Sequence, residues 1–243
     1  MSLSHAQKVT LAVGVPLSVA LMGWGALNAV AAVGRGTEQV SEQIPVTGGR
    51  LVAGLGSGDV TLRAGSGSGP AGLTGTVRYS LVRPEVTLNR DASRTSIGFG
   101  CAVPVGWCSL DATLSIPADV TAADVSTGSG NITVDTSATP GTLTLSTGMG
   151  DITATGLSAA DITARSGVGN ITIVLTKPPT SLDVTDSLGD VRIVLPAGYS
   201  YKVLDIHSAL GSTSTPGLQR SADSRYAIVA TSDLGDVTVT EAG

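Results

Sequence analysis

Few residues in this sequence have types and spacing suited to chemistry, and most of those recur at a near-constant interval. Gly followed by Asp, Asn or Ser stands at Gly58-Asp59, Gly130-Asn131, Gly150-Asp151, Gly169-Asn170, Gly189-Asp190, Gly211-Ser212 and Gly235-Asp236, with the copies from Gly130 onward 20, 19, 20, 22 and 24 residues apart. Stacked along one edge, these side chains would form a column of the oxygen ligands that Ca2+ takes. Calcium-binding solenoid repeats, however, carry several Gly and Asp per short turn. Each copy here offers one carboxylate or amide, so the pairs are expected to form structural corners, with no metal or cofactor assigned.

Other candidate chemistry is sparser. Seven residues before the Asx stand Asp124, Asp183 and Asp205, interrupted by Thr144 and Thr163. A carbohydrate-active enzyme would need two converging carboxyl groups, and this column does not promise them. His207 is a lone candidate general base without an identifiable nucleophile. Two residues after the Asx, Thr61, Thr133, Thr153, Thr172 and Thr238 form a column broken by Arg192 and Ser214. Such a ladder could meet an ordered lattice such as ice or a polysaccharide, although Thr also simply suits an exposed strand. No phosphate loop, nucleophile elbow or paired-His helix occurs, and no catalytic residue is expected.

Composition narrows the elements that must carry these columns. Gly makes up 32 of 243 residues, aromatics only 3%, with a single Phe. Gly for tight corners and small aliphatic residues for narrow interiors call for many short strands. The formal charge is −5, and no basic run could neutralise a row of phosphates, so nucleic acid is not an expected partner.

Residues 9–33 are 25 positions without a charge, longer as a helix than the roughly 30 Å hydrocarbon core of a membrane. The expected organisation is a short cytoplasmic tail (1–8), a transmembrane signal anchor (9–33), a linker (34–45) and an extracytoplasmic domain (46–243). The alternative is secretion after cleavage near Ala31, because Ala29-Val30-Ala31 has the small-x-small form of a signal-peptidase site. Either way the domain is exported. Cys101 and Cys108, the only two cysteines, then read as a disulfide closing a small loop.

Aligning the copies on the Asx residue exposes two alternating apolar sets. Ile132, Ile152, Ile171, Val191 and Val237 follow it by one residue, and Val134, Ala154, Ile173, Ile193 and Val239 by three. Eight and six residues before it come Ala123, Leu143, Ile162, Leu182, Leu204, Ile228 and Val125, Leu145, Ala164, Val184, Ile206, Ala230. Two before it stand Ser129, Met149, Val168, Leu188, Leu210 and Leu234. Each copy therefore holds two strands. The apolar positions flanking Gly-Asx are three apart, a phase slip that keeps both side chains inward if the backbone turns a corner there. Gly permits that turn, and Asx stabilises it through its own side-chain-to-backbone hydrogen bond.

Coils of about twenty residues with a narrow apolar face must stack to bury it. The fold class is thus all-β: a parallel β-solenoid, single-stranded and β-helix-like, behind one N-terminal transmembrane α-helix. An irregular insertion covers about 63–109, where the register is lost. The chain stops after its last coil, so a terminal strand edge near Val239 is expected to be open to a partner strand.

The repeat as it stands, Ser-Gly-Asn-Ile-Thr-Val at 129–134, Gly-Asp-Ile-Thr-Ala at 150–154 and Leu-Gly-Asp-Val-Arg-Ile at 188–193 with Leu-Ser-Ile-Pro at 114–117, resembles a known group. It is similar to the bacterial putative-adhesin family of domains of unknown function, also called toastrack domains. The resemblance covers roughly 46–239. It implies a β-helix-like domain, often on a membrane-anchored envelope protein, linked with adhesion or envelope-stress sensing and with no established catalysis. The expected partners are the bacterial cell membrane, through 9–33, and an envelope protein or surface polysaccharide. The long irregular region and the cysteine pair depart from the family pattern.

Overall fold

The computed structural model describes residues 35–65, 67–101, 106–135 and 140–242. The cytoplasmic tail and the anchor or signal expected over 1–33 lie outside the described residues. Among the described residues, no helix is long and apolar enough to cross a membrane.

Nineteen strands follow one another: β1 (Arg35–Ile44), β2 (Arg50–Gly54), β3 (Val60–Ala64), β4 (Ala71–Ser80), β5 (Val86–Arg90), β6 (Thr95–Phe99), β7 (Cys108–Ile116), β8 (Ala122–Ser129), β9 (Ile132–Asp135) and β10 (Thr142–Met149). The series continues with β11 (Ile152–Leu157), β12 (Asp161–Val168), β13 (Ile171–Leu175), β14 (Ser181–Leu188), β15 (Val191–Leu195), β16 (Lys202–Leu210), β17 (Thr213–Ser214), β18 (Ala227–Leu234) and β19 (Val237–Glu241). They make two sheets, one ordered β1-β4-β7-β3-β9-β11-β13-β15-β19-β17 and the other β16-β18-β14-β12-β10-β8-β2-β6-β5. Each coil contributes one strand to each sheet and turns between them at its Gly-Asx corner. The core is the seam between the sheets, where Val125, Leu145, Ala164, Val184 and Ala230 face Ile132, Ile152, Ile171, Val191 and Val237, all nearly or wholly buried.

Stacking order departs from chain order at both ends. The chain makes β14-β15, then β16-β17, and then returns so that β18 pairs with both β14 and β16. The last coil in sequence is therefore second from the end in space, and the strand edge expected to be open near Val239 is covered: β19 lies between β15 and β17. The outermost coil is β16-β17, whose edge is blunted. A bulge at Leu204 places Val203 opposite Ile228 and Asp205 opposite Val229, and β17 is only two residues long. Leu204, expected inside, is pushed into solvent at 59% exposure. Bulges and short strands of this kind deny an edge to other chains. Three of the four tyrosines close this end, with Tyr201 wholly buried, its hydroxyl donating to the Pro196 carbonyl and its ring beside Tyr226.

The other end mirrors this exchange. The first coil, β2-β3, sits between β8-β9 and a coil made of β6 and β7. The segment expected to be an irregular insertion over 63–109 is thus largely ordered. It supplies β4, β5 and β6, and the chain passes from β6 in one sheet to β7 in the other. The Cys101–Cys108 disulfide, with Cα atoms 5.6 Å apart, links the two ends of that connection. The segment expected to be a linker is also a strand, since β1 runs from Arg35 to Ile44 and pairs along its length with β4. The register was hidden because these outer strands run antiparallel: β4 against β7, β1 against β4 and β5 against β6. A purely parallel repeat carries no signal for them.

The corners explain the glycine column. Gly150 has a φ of 146°, and a Cβ placed on it would lie 2.1 Å from the Gly130 carbonyl oxygen; Gly130, Gly169, Gly189 and Gly235 are equally crowded by the preceding corner. Both the backbone angle and the close approach require Gly. Replacing Gly150 with Ala should lower stability by about 2–5 kcal/mol, the sum of a strained φ and an overpacked contact. Gly156, with a φ of 74° and nothing within 4 Å of an added Cβ, should lose only about 1–2 kcal/mol. Urea unfolding midpoints check the pair, and equal losses would show that crowding adds nothing.

Candidate binding surface

Three rows of side chains run side by side along the corner edge. The middle one is the Asx column, and its hydrogen bonds connect neighbouring coils rather than closing each corner on itself as expected. Asn131 N–H donates to Asp59 Oδ1 (2.8 Å), Asp151 N–H to Asn131 Oδ1 (2.8 Å), Asn170 N–H to Asp151 Oδ1 (2.7 Å), Asp190 N–H to Asn170 Oδ1 (2.9 Å) and Asp236 N–H to Asp190 Oδ1 (2.8 Å). At one end Asp59 N–H donates to Asp111 Oδ1 (3.3 Å), and at the other the Ser212 amide and hydroxyl both donate to Asp236 Oδ1 (2.8 Å each). Those two donors hold the Asp236 carboxyl below its usual range. The column is thus an eight-rung ladder in which one Oδ of each Asx serves the next coil's amide.

Flanking this ladder on one side is an exposed apolar ridge. The residues two before each Asx were expected to point inward, and they do not. Met149, Val168, Leu188, Leu234 and Leu210 are 58%, 48%, 51%, 48% and 70% exposed. They succeed one another on neighbouring coils, so at about 4.8 Å per coil the ridge is about 19 Å long. The inward place before the corner belongs instead to the position four before the Asx, occupied by Thr127, Thr147, Ser166, Asp186, Ser232 and half-buried Ser208. The bend carries the two residues ahead of the Gly-Asx pair outward, and beyond that pair the chain re-enters at the residue after the Asx. Because the misassigned column is apolar, hydrophobic pattern alone could not reveal this.

On the other side lies the hydroxyl row, longer than the repeat indicated. Strand register continues it as Ser41, Thr74, Thr113, Thr61, Thr133, Thr153, Thr172, Arg192, Thr238 and Ser214. Ser41, Thr74 and Thr113 sit on β1, β4 and β7, outside the periodic part of the chain, so the repeat carries no signal for them.

The remaining candidates do not converge. Asp183 and Asp205 are both registered with Val229, which separates them. Asp183 accepts from Arg165 Nη2 at 2.8 Å, and Asp205 lies 2.8 Å from His207 Nδ1. Asp124 stands beside Thr144 at the far end of that column. Among the described residues, no three His, Cys, Asp or Glu side chains come together as a metal site would require.

The model of the toastrack DUF4097 family matches residues 51–240. The chain belongs to that family. Its fold is shared with a solved structure from Clostridium sporogenes described as a putative cell adhesion protein, at 12% identity and a TM-score of 0.53, covering 85% of this chain and all of that one. A putative adhesin from Bacteroides fragilis aligns at 12% identity over 85% of this chain and 97% of that one, with a TM-score of 0.47. No curated protein matches the chain. The architecture of this toastrack domain is therefore that of its family.

The spacing of charge along the ladder is itself testable. Asn131 and Asn170 separate carboxylates that would otherwise stand about 4.8 Å apart, where two unit charges repel by about 1 kcal/mol in water. Asn170→Asp keeps the acceptor but makes Asp151, residue 170, Asp190 and Asp236 an unbroken run of charge. The variant should melt below the wild type in low salt and recover most of the difference in 1 M NaCl, since exposed charges are screened. A difference that salt leaves unchanged would place the loss in the hydrogen bond instead.

Proposed function

We propose that this chain is a non-enzymatic, adhesin-like binding module of the bacterial cell envelope, held at the membrane by residues 9–33 with its toastrack domain outside the cytoplasm. The observation that carries the reading is the apolar ridge. Five large aliphatic side chains in a continuous exposed row are costly to leave in water, and contiguous rows of this kind mark sites of association. The ridge offers no ring on which a sugar could stack, and the neighbouring Asp151, Asp190 and Asp236 ask for donors or positive charge on the partner. Those features favour an envelope protein over a polysaccharide. The disulfide fits an oxidising compartment, and family membership fits the adhesin-like role.

One observation favours a second reading. The hydroxyl row holds nine Ser or Thr residues across the ten strands of its sheet, and so remains a candidate face for an ordered polysaccharide. A carbohydrate-active enzyme is less well supported, because the acids of the outward column are occupied by Arg165 and His207 and separated by Val229.

Two substituted chains distinguish these faces. Met149→Ser with Leu188→Ser should abolish retention of an envelope partner in pull-downs from membrane extract while leaving polysaccharide binding unchanged. Thr133→Val with Thr153→Val should do the reverse if the hydroxyl row is the contact. Retention unaffected by the ridge substitutions would defeat the proposal. The N-terminus of the membrane-extracted protein tests the anchor: a start at Ala32 would make the domain a secreted one.

A further inference from the structure

The hydroxyl column inside the corner has one irregular member. In five coils a Ser or Thr donates across to a corner glycine carbonyl: Thr127 to Gly58 (3.2 Å), Thr147 to Gly130 (2.9 Å), Ser166 to Gly150 (3.1 Å), Ser232 to Gly189 (2.9 Å) and Ser208 to Gly235 (2.6 Å). The carbonyl left over in this series is that of Gly169. The residue in the donating place is Asp186, wholly buried, with no hydrogen-bond partner for either carboxyl oxygen.

The carboxyl occupies the hydroxyl's position. At Gly211 the Cβ direction points to within 2.0 Å of the Gly235 carbonyl oxygen and 2.7 Å of Ser208 Oγ, and those two oxygens are hydrogen-bonded. At Gly189 the corresponding values are 2.1 Å to the Gly169 carbonyl oxygen and 2.8 Å to Asp186 Oδ2. The Asp186 carboxyl thus stands at the corner whose neighbouring glycine carbonyl receives no hydroxyl, and a proton on it would supply the missing donor. We propose that Asp186 is a proton-binding site: at mildly acidic pH its carboxyl is protonated and donates to the Gly169 carbonyl, as a hydroxyl does in the other coils.

Its surroundings favour the neutral form. The residues registered with it on β12 and β18 are Ser166 and Ser232, and the inward residues of β13 and β15 are Ile171, Ile173, Val191 and Ile193. No cation reaches it from these elements. The charge that acts on it is the Asp190 carboxylate of its own corner, which disfavours ionisation. Burial is the larger cause, and together they raise its pKa from 3.8 to about 6, although the nearby Ser187 and Leu188 amides and the Ser166 hydroxyl pull the other way without reaching bonding geometry.

The sign of the pH dependence follows. Between the unfolded pKa near 3.8 and the folded pKa near 6, the folded chain binds more protons than the unfolded one, so stability falls as pH rises. The contribution of this site is complete below about pH 4 and is lost as pH passes through about 6. Ionisation then leaves an unpartnered buried charge two residues before Leu188, so the corner that loosens is one that presents the ridge. The link to binding rests on the proposed function; the proton site does not.

The test uses the full chain and its Asp186→Ser variant, which restores a hydroxyl, with thermal midpoints taken from pH 4.5 to 8. The variant should match the wild type at pH 4.5 and exceed it by several degrees at pH 8. In parallel, the 13C carboxyl resonance of Asp186 in the wild type should titrate near pH 6. A midpoint near 4, or pH profiles that run parallel in the two chains, would overturn the proposal. If the variant fails to fold, the wild-type carboxyl titration alone decides. Loss of pH-dependent binding with the titration intact would fault the ridge reading and leave the proton site standing.

Discussion

Everything in this molecule depends on how closely successive corners approach. Each corner glycine from Gly130 onward brings its Cα against the carbonyl of a neighbouring corner, in a space that no side chain could share. That contact sets the two sheets at a common turning point, and every coil must honour it for its strands to pair on both sides. It also explains why the polar groups at the corner are so regular. A buried carbonyl in a tight bend needs a donor, and in five coils a Ser or Thr hydroxyl provides one. An exposed amide next to it is served by the neighbouring Asx. Hydroxyl inside and Asx outside are two answers to the same demand, made on opposite sides of one bend.

A stack held together this way has a problem at its ends, because the last coil offers unpaired strands to solvent. The chain meets it by placing neither its first nor its last coil outermost. β2-β3 and β18-β19 are each paired on both sides, and the outer positions go to segments that are irregular in ways that discourage further pairing. At one end these are a bulged strand, a two-residue strand and a tyrosine cluster; at the other they are antiparallel strands and the disulfide loop. In a solenoid whose stability is carried by nearest-neighbour contacts, covering the coils nearest the chain ends protects those most prone to fray.

The same bend decides where the molecule can make contacts. Turning the corner pushes two residues of each coil outward, and the one before the corner glycine is aliphatic in five successive coils. The surface that results combines an apolar ridge, a ladder of carboxylates and amides and a row of hydroxyls, all at the coil spacing. Because the three rows share one backbone bend, a change in one corner is felt in the ridge, and Asp186 is the position where the internal pattern carries a titrating group.

The sequence by itself determined the repeat, the two strands per coil, the glycine-Asx corner and most of the inward columns, because each is a local demand: period two along a strand, φ and space at a corner. It also located the disulfide, whose partners are seven residues apart. The tertiary structure alone decided the order in which the coils stack. The inward columns of β14, β16 and β18 are interchangeable in pattern, and only the packed result distinguishes a neighbour in sequence from a neighbour in space. It decided likewise that Met149 and its counterparts face outward, since an apolar side chain reads the same on either side of a bend. For Asp186 the chain shows an acid among hydroxyls, but only the fold reveals that both its oxygens are buried without a hydrogen-bond partner, which is what makes it a site for a proton.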